Sequence, residues 1–116
     1  DCRGSAYCAG CKNSLGKDGM NDFIKQVADD AVFNDGQQVA CNSCHTAHTE
    51  GQCVFPQKLG GKTVTGKQVK DAVQKLTDKG CKFCGSAPVW DDDVNHGEIT
   101  VDYVVHGCIK HGKKIC

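Results

Sequence analysis

The chain has 116 residues; ten are cysteines, about 9%, and its fourteen Lys and Arg are balanced by fourteen Asp and Glu. That cysteine share is typical of a disulfide scaffold, and Leu, Ile, Val and Phe together supply only 23 residues, a thin apolar stock against the conformational entropy of folding. Zero net charge excludes the broad positive field with which proteins hold nucleic acid or anionic membranes, and no apolar run nears the ~20 residues that span a bilayer.

Length predicts a single domain over 1–116. Ten cysteines that all pair require an oxidising compartment. The chain, starting at Asp1 without an apolar leader, therefore reads as a mature secreted protein whose signal peptide has been removed.

Asp1 to Gly19 is rich in Gly, Ser, Cys and Asn without apolar periodicity, which predicts a looped segment held by cysteines. Phe23, Ile24, Val27, Ala28, Ala31 and Val32 then recur at helical spacing, with Asn21 as N-cap, Asp22 in the first turn and Gly36 beyond the end. They predict a three-turn amphipathic helix. A second helix is predicted from Gly66 to Lys79: Thr65 and Gln68 fit a capping box, Val69, Ala72, Val73 and Leu76 form the apolar stripe, and Gly80 suits the left-handed position after the last turn.

Strands are predicted at Gln37 to Cys41, Cys53 to Gln57, Lys82 to Cys84 and Glu98 to Val105. In the last, Ile99, Val101, Tyr103 and Val105 alternate with polar residues, the period of a half-buried strand. Elements with one apolar face each point to an α+β two-layer sandwich, a small antiparallel sheet with two main helices on one face.

Cys41-Asn42-Ser43-Cys44-His45 has the CxxCH form of c-type haem attachment, and Met20 or His48 could be a second axial ligand. Cys41/Cys44 with Cys81/Cys84 form two CxxC pairs that could hold zinc, with His45 and His48 nearby. Against both stand the further cysteines each would leave over, and against zinc also the long separation of the two CxxC pairs. Neither these pairs nor Cys8/Cys11 is expected at a strand-to-helix junction, where a thiol becomes reactive. Asp91, Asp92, Asp93 and His96 read as a solvated charge run. His106 and His111 flank Cys108, but an oxidised cysteine is no nucleophile. No catalytic residue, cofactor or metal is expected, and the residues alone leave about 945 cysteine pairings open.

Two segments together are more specific. Asp1-Cys2-Arg3-Gly4-Ser5-Ala6-Tyr7-Cys8, and Gly80-Cys81-Lys82-Phe83-Cys84-Gly85-Ser86-Ala87-Pro88 continuing through Gly97-Glu98-Ile99-Thr100-Val101-Asp102-Tyr103-Val104, resemble the signatures of the killer protein four family. These are small secreted toxins first known from viruses of smut fungi. With the Cys116 tail the chain looks similar to a cellular fungal member.

The resemblance implies an α/β-sandwich and a non-enzymatic activity, inhibition of competing or host cells by blocking calcium uptake through voltage-gated-type channels. Family toxins are basic and carry a basic loop before the cysteine matching Cys53. Here His45-Thr46-Ala47-His48-Thr49-Glu50-Gly51-Gln52 holds no Lys or Arg.

The resemblance also implies a disulfide set that uses every cysteine. Cys2 joins Cys84 and Cys8 joins Cys81. Cys11 and Cys44, without counterparts in the family pattern, join each other, and Cys41, Cys53, Cys108 and Cys116 share two bridges. The expected partner is a membrane protein on another cell, a calcium channel, met by a monomer that neither inserts in the membrane nor binds nucleic acid. Because the basic loop is missing, the expected target-binding side chains are Lys110, Lys113 and Lys114, bracketed by Cys108 and Cys116. An apoplastic virulence effector or wall-associated binding protein on the same scaffold is the alternative.

Overall fold

The computed structural model describes residues 1–11, 15–16, 19–44, 50–108 and 113–116. The alternating segment predicted as a half-buried strand forms β6 (Glu98–Val104), paired on one side with β5 (Gly85–Pro88) and on the other with β3 (Gly51–Gln57). Beyond β3 lie β2 (Ala40–Ser43) and the edge strand β7 (Lys113–Ile115), giving an antiparallel sheet of order β5-β6-β3-β2-β7. A small second sheet pairs β1 (Val32–Phe33) with β4 (Val64–Thr65).

The register lines up one apolar row, Ile115, Ala40, Val54 and Val101, and beside it Pro56, Ile99 and Ala87. This face meets α3 (Gly66–Asp78), whose Val69, Ala72, Val73 and Leu76 are buried in the same core. Each such Val or Leu contributes roughly 1.5–3 kcal/mol by leaving water. The capping box forms as the sequence predicts: Gln68 N–H donates to Thr65 Oγ1 at 3.2 Å, and Thr65 N–H donates to Gln68 Oε1 at 2.9 Å. Gly80 follows the helix at φ 86°.

The helix expected from Phe23 onward is much shorter. After α1 (Cys8–Cys11), itself a single turn within the segment read as a loop, α2 runs only from Met20 to Phe23 and tightens into a 3₁₀ turn over Ile24–Gln26, and Val27 is already extended at ψ 133°. The cause is tertiary. The carbonyls of Ala31 and Asp29 accept the Gly66 and Lys67 N–H groups at 2.8 and 3.1 Å, and Val27 O accepts Lys70 Nζ at 2.6 Å. Those carbonyls satisfy donors at the start of α3, which a continuous helix would have consumed internally. Asn21 is no N-cap; it lies inside α2, where its side chain donates to Gln74 Oε1 at 2.9 Å and ties α2 to α3.

Three further expectations change. Lys82 to Cys84 is a bend, and the strand starts only at Gly85, because Cys81 and Cys84 are tied to the N-terminal segment. The strand expected over Gln37 to Cys41 begins at Ala40. Tyr103, which the alternation groups with the apolar Ile99 and Val101, is only half-buried at the far end of β6, its ring centroid 5.1 Å from that of Tyr7. The class stands as predicted: an α+β fold stapled by disulfides.

Candidate target-binding surface

The side of the sheet opposite α3 carries a second, smaller cluster, in which the buried Cys41 and Cys53 pack with Phe55, Val104 and Cys108. Cys41 and Cys53 face each other in register and form a disulfide across β2 and β3. A second disulfide, Cys108–Cys116, lies against it: Cys116 Sγ is 3.9 Å from Cys41 Sγ, and the Cys108 N–H points at Cys41 Sγ at 3.4 Å.

The chain is fixed on both sides of this ring. Gln38 Nε2 donates to His106 O at 2.9 Å, and Cys116 N–H donates to Val39 O at 2.9 Å. Both ends of the segment closed by Cys108–Cys116 therefore rest on the most buried disulfide of the sheet.

Of the three lysines expected to bind a target, Lys113 and Lys114 fall on β7, opposite Asn42 and Cys41, so the backbone places them at the open edge of the sheet. Lys110 lies outside the described residues, as do His45, His48 and His111.

At the other edge the N-terminus is knotted to the segment that leads into β5. The Asp1 nitrogen donates to Ser86 O and Ser86 N–H donates to Asp1 O at 2.7 Å, extending the sheet by one residue pair. The pairing is Cys2–Cys81 and Cys8–Cys84, the reverse of the expected Cys2–Cys84 and Cys8–Cys81. Ser5 N–H docks on Asp102 Oδ1 at 2.8 Å, and Gly4 is pressed so near Cys84 Cβ that its own Cβ would stand 2.8 Å away. This contact returns Cys8 onto Cys84 and leaves Cys2 beside Cys81, just past the end of α3. Cys11 joins Cys44.

With Cys41 and Cys44 in separate disulfides, no thiol remains for a thioether bond to haem, and Cys81 and Cys84 are equally spent as zinc ligands.

The acidic run folds into a clasp. His96 Nδ1 is 2.9 Å from Asp91 Oδ2, and its Nε2 is 3.6 Å from Asp93 Oδ2. Asp93 N–H donates to Asp91 Oδ1 and Asn95 N–H to Asp93 Oδ1, both at 2.8 Å. The hydrogen bond to Asp91 and the charges of Asp93 and Asp91 raise the His96 pKa above its ordinary value. The Asp91 carboxyl is held below its ordinary value by the Asp93 N–H and by His96. Trp90 lies against Gly97, where any Cβ would meet its ring, and Lys62 Nζ is 5.1 Å from the ring centroid. These carboxylates therefore order their own loop.

The KP4 killer toxin of Ustilago maydis P4 virus is 28% identical over 110 residues, spanning 90% of this chain and 78% of the toxin. The Kp4 family model matches residues 1–105, so the Cys108–Cys116 ring, with Lys110, Lys113 and Lys114, lies beyond the matched region. Nearly all of the sheet and both N-terminal staples fall within the match, and the chain belongs to the Kp4 family.

Proposed function

We propose that this protein is a secreted, non-enzymatic toxin that binds a protein on the surface of another cell and lowers calcium entry, with the cystine-closed C-terminal ring as its contact surface. The observation that carries the reading is the family match over residues 1–105, which includes both knotted cysteine pairs. Two features support it. Five disulfides suit an oxidising extracellular space. Among the described residues no helix is long and apolar enough to cross a membrane, in keeping with action from outside.

A channel vestibule that concentrates calcium is lined by carboxylates, and a blocker has to present a cation to them. Lys110, Lys113 and Lys114 lie in a loop whose closure by Cys108–Cys116 lowers the entropy lost on docking. The test compares the parent with the Lys110→Gln, Lys113→Gln, Lys114→Gln variant for growth inhibition across a panel of fungi and plant roots. The parent slows growth, added calcium relieves the effect, and the variant is several-fold weaker. Equal potency of the two removes the ring from the mechanism.

A further inference from the structure

The Cys2–Cys81 and Cys8–Cys84 knot leaves an open cleft of about 550 Å³ between the segment after Cys2 and the turn from Cys81 to Cys84. The charged side chains that line it are Arg3 and Lys82, both cations, both exposed. In a chain of zero net charge this is a local excess. A second cleft of about 540 Å³, beside the end of α3, is balanced instead, with Asp1, Asp78 and Asp92 alongside Lys75 and Lys79.

Other lysines are occupied by carboxylates: Lys25 by Asp22, Lys67 by Asp71, Lys70 by Asp29. Among the described residues neither Arg3 nor Lys82 is in a salt bridge. Asp102, under the same segment, already accepts the Ser5 and Tyr103 N–H groups at 2.8 and 2.7 Å.

We propose that this cleft is a docking groove for a carboxylate-bearing segment of a partner protein. Arg3 directly follows a bridged cysteine, and Lys82 sits between two. Leu15 N–H donates to Lys82 O at 2.9 Å and the Gln52 side chain donates to Phe83 O, so the backbone carrying Lys82 is pinned from two sides. A backbone so fixed has little conformational freedom left to lose on binding. The guanidinium fork matches a carboxylate bidentately while the ammonium serves as a point charge. Half-buried Phe83 on the groove wall excludes water from one side and strengthens the attraction. The groove is lined by residues from 2–9 and 82–84 and shares none with the Cys108–Cys116 ring, so it is tested apart from the surface proposed above.

The probe is a fluorescein-labelled hexaglutamate peptide, titrated at low salt into the parent, Arg3→Gln, Lys82→Gln, the double variant, and Lys67→Gln as a control, with an amide NMR map of the site. The parent binds, the double variant is weaker by about tenfold or more, Lys67→Gln stays within about twofold, and the shifts fall at Gly4, Ser5, Lys82 and Phe83. Hexaglutamine does not bind. No binding by the parent, equal binding by the double variant, equal binding of hexaglutamine, or shifts confined to residues 113–116 would each overturn the groove. No toxicity assay enters, so the outcome is independent of whether the protein inhibits growth.

Discussion

Leu76 shows how a single side chain is fixed by both layers: it is fully buried on α3, and its Cδ2 would lie 3.0 Å from a Cβ at Gly85 in the sheet beneath. Leu76→Ala is expected to cost about 2–5 kcal/mol, and Thr65→Ala, which removes the cap, about 1 kcal/mol. Thermal melts without reductant check both, and an unchanged Leu76→Ala melt would place the residue outside the core.

His96 supplies a pH-dependent contact. Its charged form is held by Asp91 and Asp93, so its contribution is complete below the ordinary 6.5 and is lost as pH rises through the raised value. The Asp91 contribution is complete above 3.8 and is lost as pH falls through the lowered value. The clasp is therefore fully formed between those limits. An NMR titration should put His96 above 6.5, falling back toward it in Asp91→Asn; a parent value at or below 6.5 contradicts the clasp.

At the scale of elements, α3 was legible because its information is local: the capping box, the stripe and Gly80 all lie within sixteen residues of sequence. The first helix was not, because its apolar spacing is compatible with a helix and the deciding contact, carbonyls 29 and 31 against the start of α3, comes from more than thirty residues away. Gly66 is the residue that permits that approach, since a Cβ there would stand 1.9 Å from Ala28 O. Gly66→Ala, neutral or favourable on helix propensity, should instead destabilise the fold by about 1–3 kcal/mol through overpacking. A variant as stable as the parent would show that the contact yields.

β7 was invisible for a related reason: three residues carry no period, and the strand exists because Cys116 N–H reaches Val39 O and its neighbours pair with β2. The exchange of Cys81 and Cys84 partners likewise depends on how Gly4 and Ser5 sit on Asp102. Within this framework the Cys108–Cys116 bridge closes the shortest loop, eight residues, and Cys116 is exposed, whereas Cys41 and Cys53 have no exposed surface. In limited reduction by a small thiol, with alkylation and peptide mapping afterwards, Cys108 and Cys116 should be labelled before Cys41 and Cys53. Earlier labelling of Cys41 or Cys53 would contradict the described burial.

On the scale of the whole molecule, the region matched by the family model and the residues after it separate along the sheet. One edge carries the knot within the matched residues, and the other carries a ring that lies beyond them. Net neutrality gives the protein little long-range steering, so the proposed binding rests on short-range cations carried by a backbone that five disulfides fix. The surface was the least legible part: lysines near a cysteine can be located in a sequence, but whether a cation is already paired depends on which carboxylates the fold brings beside it, as Lys70 and Asp29 show. The decisive measurement for a toxin that lowers calcium entry is calcium influx into fungal and root cells exposed to the folded, fully oxidised protein. Influx should fall in the cells whose growth is inhibited and recover when calcium is added; inhibited growth with unchanged influx, or no effect on influx in any cell, would contradict the proposed function.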